Sequence, residues 1–196
     1  MTSYYRSNQA GRSMVEMLGV LAIIGVLSVG GISGYSKAMA KFKLTKVQDQ
    51  ITMLLMNIRT AYATSPNYGG LHTKEAIDYN IAPGDMKQSG STLGHAFGGK
   101  VTIEACDAVG VPSSTGQYFY IQLDDLGNEA CMSLVTADWG TDGLIGISAG
   151  KQTSGKGSAL TFTTITVKAE SLPMNMSTAS SYCGKGSYST VKWVYY

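Results

Sequence analysis

The chain of 196 residues has a net charge of +2, from 15 Lys and Arg against 13 Asp and Glu, and only 14% of its residues are charged. So sparse a positive charge builds no continuous footprint for a phosphate backbone, which excludes nucleic acid as the default partner. Hydrophobic residues make up 44%, enough for one domain-sized core with appendages but not for a second large domain. With 24 Gly, 12 Tyr and only 4 Pro, the composition favours a body of strands and turns over a helical bundle. Cys106, Cys131 and Cys183 stand in no CxxC or Cys/His ligand spacing. A metal site is therefore unsupported, and one disulfide with a thiol left over fits better.

Residues 1–11 are polar, with Arg6 as their single positive charge, and read as a short processing leader outside the fold. Residues 14–32, MVEMLGVLAIIGVLSVGGI, carry only Glu16 as a charge and are long enough to cross ~30 Å of hydrocarbon as a helix. The run flows straight into helical sequence without a small-residue cleavage site, so it is retained, unlike a secretory signal. A carboxylate within a bilayer costs ~2.5–3.5 kcal/mol and is normally kept for a partner. The plainer alternative for Glu16 is a side chain that reaches the head groups and favours the helix dipole. Gly19, Gly25, Gly30, Gly31 and Gly34 permit either close helix packing or local softening, of which packing is the preferred reading.

Beyond Gly34, apolar residues at Leu44, Val47, Ile51, Leu54, Ile58 and Ala61 recur three and four apart, predicting an amphipathic helix. No proline interrupts residues 14–65, so both runs are expected to form one rod of ~75 Å. Its lower half needs lipid or neighbours, and its upper half needs a sheet. Lys37, Lys41, Lys43 and Lys46 follow the apolar segment as a positive collar, which the positive-inside rule alone would keep on the non-translocated side.

Pro66 and the Gly69, Gly70 pair break the helix, after which Thr73 is expected to cap a short helix over 74–79. KVTIEA (100–105), entered through Gly98 and Gly99, and QYFYIQL (117–123) predict an antiparallel strand pair. Asp124 and Asp125 read as a solvated turn. Residues 125–137 predict a second-layer helix with Ala130, Cys131, Leu134 and Val135 on one side. A Gly/Ser/Thr-rich loop region, a strand over 159–167, a polar stretch and a last strand over 189–196 complete the pattern. His72 and His95 are the only histidines and lie in no nucleophile motif, so an enzyme has little support. Trp139 and Trp193 read as packing residues, and the Asn175-Met176-Ser177 sequon as a chance match in a polar loop.

GRSMVEMLGVLAIIGVLSVGG (11–31) resembles the N-terminal signature of type IV prepilins and related pseudopilins: a Gly at the cut, a Glu five residues beyond it and an unbroken apolar helix. The likeness covers residues 6–62. It implies cleavage between Gly11 and Arg12 by a membrane-embedded prepilin peptidase, with methylation of the new N-terminus, although Arg12 stands where the family more often has Phe or Met. It also implies that Glu16, the fifth mature residue, pairs with the N-terminal amine of a neighbouring subunit, neutralising the charge and fixing axial register. The helix-kinking Pro of many relatives is absent.

HAFGGKVTI (95–103) is similar to the Asn-Pro-aromatic-Gly-Gly opening of a strand in type IVb and conjugative-plasmid pilins, with His95 and Ala96 in place of the usual pair. EACMSLV (129–135) resembles their cysteine-bearing helix, and SSYCGKGSYSTVKWVYY (180–196) supplies a second cysteine before the final strand. The resemblance thus implies a Cys131 to Cys183 disulfide, whose loop of about fifty residues corresponds to roughly 4 kcal/mol. On the residues alone, pairing of Cys106 with Cys131, or three reduced thiols, stay open.

The expected fold is α+β, a long N-terminal transmembrane and amphipathic helix packed on an antiparallel sheet. Its expected segments are a leader (1–11), a hydrophobic assembly helix (12–34), the amphipathic half of that helix (35–64) and a globular head (65–196). The resemblance implies a non-enzymatic structural subunit of a type IV pilus, needing no cofactor or metal. Its implied partners are identical or related pilin subunits, prepilin peptidase, and an inner-membrane platform with its assembly ATPase. The implied location is the bacterial inner membrane before assembly and the extracellular filament afterwards, a topology that overrides the charge rule for the lysine collar. Alternatives are a type II secretion pseudopilin, and a minor pilin or adhesin binding a ligand through Tyr182, Tyr188, Tyr195 and Tyr196. A bitopic membrane protein left uncleaved at Gly11 is a further alternative.

Overall fold

Helix α1, Met14–Ala61, is uninterrupted because nothing in its 48 residues breaks it; Glu16 in its first turn and Arg59 in its last complement the helix dipole. The computed structural model describes residues 14–88, 90–114, 116–140, 142–184 and 188–196. The expected leader and the Gly11, Arg12 cleavage site lie outside the described residues. Two compact units divide between Phe42 and Lys43. Within the second, the helix buries Val47, Gln50, Ile51, Leu54 and Ile58. These are the three- and four-residue steps of the sequence pattern, with Leu44 half-buried and Ala61 exposed at the end.

Six strands form one sheet: β1 (Leu93–Gly94), β2 (Lys100–Cys106), β3 (Tyr118–Leu126), β4 (Leu144–Lys151), β5 (Val167–Lys168) and β6 (Ser189–Tyr195). Their order is β1-β2-β3-β6-β4-β5, and every neighbouring pair is antiparallel. The C-terminal strand therefore lies inside the sheet, between β3 and β4, and all seven of its residues are buried. Alternation sorts the side chains. Val101 and Ile103, then Phe119, Ile121 and Leu123, then Val191, Trp193 and Tyr195 join the buried positions of α1 in one core. Trp193 meets Trp139 edge-on at 5.1 Å, and the Trp139 indole N–H donates to the Leu134 carbonyl. Both tryptophans thus serve packing.

Three short helices complete the second unit: α2 (Thr73–Asp78), α3 (Asn128–Val135) and α4 (Met176–Tyr182). Thr73 is not the cap expected of it; it is the first helical residue, and its hydroxyl bonds both the amide and the carbonyl of Ile103, fastening α2 to β2. Asn175, expected in a plain loop, caps α4 by accepting from the Thr178 amide.

Two further expectations are corrected. The region read as loop after α3 contains β4, paired along its length with β6. The strand expected over 159–167 is strand only from Val167, and residues before it leave the ladder to lie against β4. Glycine explains both. A Cβ on Gly146 would sit 2.5 Å from Ile165 Cγ2, and one on Gly150 would sit 2.9 Å from Leu160 Cδ1. The glycines that make β4 look like loop are the seats on which the following segment rests.

Candidate assembly site

Residues 14–42 of α1 present apolar side chains outward: Val15 is 75% exposed, Leu21 62% and Val29 72%. An 18-residue window of this helix has a mean hydropathy of 2.2 and is wholly unburied, so by length and composition it can cross a membrane. Its serine hydroxyls are satisfied within the helix. Ser28 donates to the Ile24 carbonyl and Ser36 to the Ile32 carbonyl, which hides both hydroxyls from an apolar surrounding. Glu16 stands in the first turn and is exposed. A Cβ added at Gly19, Gly25, Gly30, Gly31 or Gly34 would meet nothing within 4 Å, so among the described residues no contact demands glycine there.

On the second unit, Cys131 of α3 and Cys183 at the end of α4 form a disulfide with a Cα–Cα distance of 5.8 Å. Asn128 Nδ2 donates to the Cys183 carbonyl across the same junction. Cys106 is the free, buried cysteine, and burial pushes its thiol up to about 12. That settles the pairing which residue spacing leaves open.

The turn between β1 and β2 is built around His95. Its Nε2 lies 2.7 Å from the Asp124 carbonyl, while the Phe97 amide donates to Nδ1. The ring is therefore neutral, with its proton on Nε2, and burial lowers its pKa despite the Asp124 carbonyl beside it. Gly99 is required here, because a Cβ would run into that carbonyl and the imidazole. Asp124 is not in a solvated turn: it is buried within β3, accepting from Gln122 Nε2 and the Thr190 hydroxyl. Burial raises its pKa. Asp125, beside it, bends the strand with a φ of 59°.

Of the tyrosines considered as a ligand face, Tyr188 and Tyr196 are exposed and Tyr182 is half-buried. Tyr195 is 1% exposed and stacked on Phe119, so it offers no ligand surface. Among the described residues no group of three His, Cys, Asp or Glu side chains is placed to hold a metal ion. Sequence reasoning missed the buried polar row of Gln122, Asp124, Thr190 and Lys192. Its signal was the alternation of polar with apolar residues in QLDD and STVKWV.

An apolar helix continued into an amphipathic half on an antiparallel sheet, with a disulfide tying in the segment before the final strand, defines the type IV pilin class. Within it, the chain belongs to the family described as PilS N terminal, whose model matches residues 42–196. It is 23% identical over 134 residues to the major structural subunit of bundle-forming pilus of Escherichia coli O127:H6 (strain E2348/69 / EPEC), covering 68% of this chain and 67% of that relative. The corresponding subunit of Escherichia coli O111:H- matches equally. Two solved structures are also similar. The crystal structure of TcpA, a type IV pilin from Vibrio cholerae El Tor biotype, is 14% identical, covers 79% of this chain and 99% of its own, and has a TM-score of 0.47. That of a type IVb pilin from Salmonella typhi is 23% identical, covers 78% and 97%, and has a TM-score of 0.46.

Proposed function

We propose that the chain is a structural subunit of a type IV pilus, made as a prepilin, cut between Gly11 and Arg12 and polymerised through α1. The observation that carries this reading is the unburied apolar face of residues 14–42 in a chain of this family. That face is stable in lipid and, after extraction, against the same face of other copies. Glycines that no contact among the described residues requires suit close approach between such helices. In that packed core, Glu16 pairs with the terminal amine of a neighbour, since an unpaired carboxylate there would be costly. A prepilin peptidase, an inner-membrane platform and an assembly ATPase are the partners this route needs.

The test is filament yield in sheared fractions from cells expressing Glu16→Ala or Glu16→Asp. Loss of filaments in Glu16→Ala, with the subunit still processed and retained in the membrane and with partial recovery in Glu16→Asp, is the expected result. Normal filaments from Glu16→Ala would remove the proposed role of the carboxylate.

A further inference from the structure

The sheet face opposite the core is covered by irregular chain, and the surface beneath carries a polar row beside a small apolar cluster. Gln122, Asp124, Ser148, Gln152, Thr190 and Lys192 are all buried. Four of them are connected: Gln152 Nε2 donates to the Thr190 hydroxyl, which donates to Asp124 Oδ1, which also accepts from Gln122 Nε2. Lys192 lies between Gln122 and Ser148 in register.

Two segments form the cover. Segment 158–166 is held by side chains from three strands: Gln122 donates to the Leu160 carbonyl, Lys192 to the Phe162 carbonyl, and Ser148 to the Thr164 carbonyl while accepting from the Thr166 amide. Loop 107–112 is held from the same centre, because Lys192 Nζ donates to the Gly110 carbonyl at 2.9 Å. The ammonium also lies 4.3 Å from the Tyr120 ring centroid. At Gly110, where φ is +83°, a Cβ would sit 2.9 Å from Val194 Cγ2, so the loop approaches the sheet as closely as glycine permits. Ile165 of the first segment packs on the small cluster of Cys106, Tyr120 and Val194.

Lifting such a cover breaks a few side-chain tethers and exposes a polar row that water can satisfy together with the small cluster of Cys106, Tyr120 and Val194, whereas opening the other face would expose the far larger apolar core. We propose that loop 107–112 and segment 158–166 form one hinged cover, latched by Lys192, that opens locally in the folded subunit and bares this polar face and Cys106 while sheet and disulfide stay intact. This device lies on the second unit and is independent of the assembly reading.

Cys106 is a built-in reporter, since the other two cysteines are bonded to each other. Its alkylation by iodoacetamide would be followed in the full-length chain in detergent micelles, against urea, beside global unfolding monitored by Trp fluorescence. The expected result is labelling at least about tenfold faster than global unfolding allows and insensitive to low urea. Lys192→Met should speed it by roughly another tenfold. Ser148→Ala, which cuts only the tethers to Thr164 and Thr166, should speed it less and leave the unfolding midpoint nearly unchanged. Wild-type labelling only at the global-unfolding rate, or no acceleration relative to unfolding in either variant, would overturn the proposal.

Discussion

His95 links a turn to a pH dependence. Burial holds its pKa below that of an exposed imidazole, so the unfolded chain, titrating near pH ~6.5, binds the proton more readily than the folded one. The stability His95 contributes is complete above that value and is lost as pH falls below it. The urea midpoint should therefore drop between pH 7 and pH 5, and His95→Gln should flatten that part of the profile. Asp124 acts with the opposite sign, its raised pKa favouring the fold on acidification, so the His95→Gln comparison is what isolates the histidine's share. The Cys131 to Cys183 bridge closes a separation of 52 residues, and Cys131→Ser or Cys183→Ser should cost roughly 4 kcal/mol on the chain-entropy account. Non-reducing urea melts would measure it, with the double variant no worse than the single ones. The partnership of these cysteines followed from a motif resemblance. Asp124 was not legible, because two consecutive aspartates look like a turn until a neighbouring strand supplies Thr190 as a donor.

At the scale of elements, what was legible depended on range. The amphipathic half of α1 was readable because its core-facing residues repeat locally; Leu54→Ala should cost about 2–5 kcal/mol as a cavity in the core, seen as a lowered midpoint without loss of helix. Strands β2, β3 and β6 show alternation and were expected. The place of β6 between β3 and β4 rests on pairing with partners as distant as Phe119 and Leu144, both opposite Tyr195, and leaves no mark in its own sequence. Strand β4 was hidden because Gly146 and Gly150 lower strand propensity, although the fold needs them to admit Ile165 and Leu160. Conversely, the Thr, Phe and Ile of 159–166 have strand character but are drawn off the ladder by Ser148, whose side chain takes the bonds a neighbouring strand would otherwise supply. In the apolar half of α1, Gly30→Ala and Gly34→Ala should raise helicity of the isolated subunit, each by up to about 1 kcal/mol, while lowering filament yield. Circular dichroism in micelles and shear assays on cells would separate the two effects. Unchanged assembly would mean the glycines are not contact points between subunits.

For the whole molecule, the two compact units solve different problems with the same helix. From Lys43 onward, α1 supplies one layer of a core completed by the sheet; before it, the apolar side chains are exposed among the described residues, and in the proposed function lipid and then other copies cover them. In the proposed function this second cover is a filament built from processed subunits. Intact-mass and N-terminal analysis of filaments sheared from cells, with and without active prepilin peptidase, tests it most directly. The expected result is that this chain is a filament component beginning at Arg12, and that without the peptidase it stays in the membrane with Met1 or the leader attached. Recovery of only uncleaved, membrane-held chain in the presence of active peptidase would contradict it.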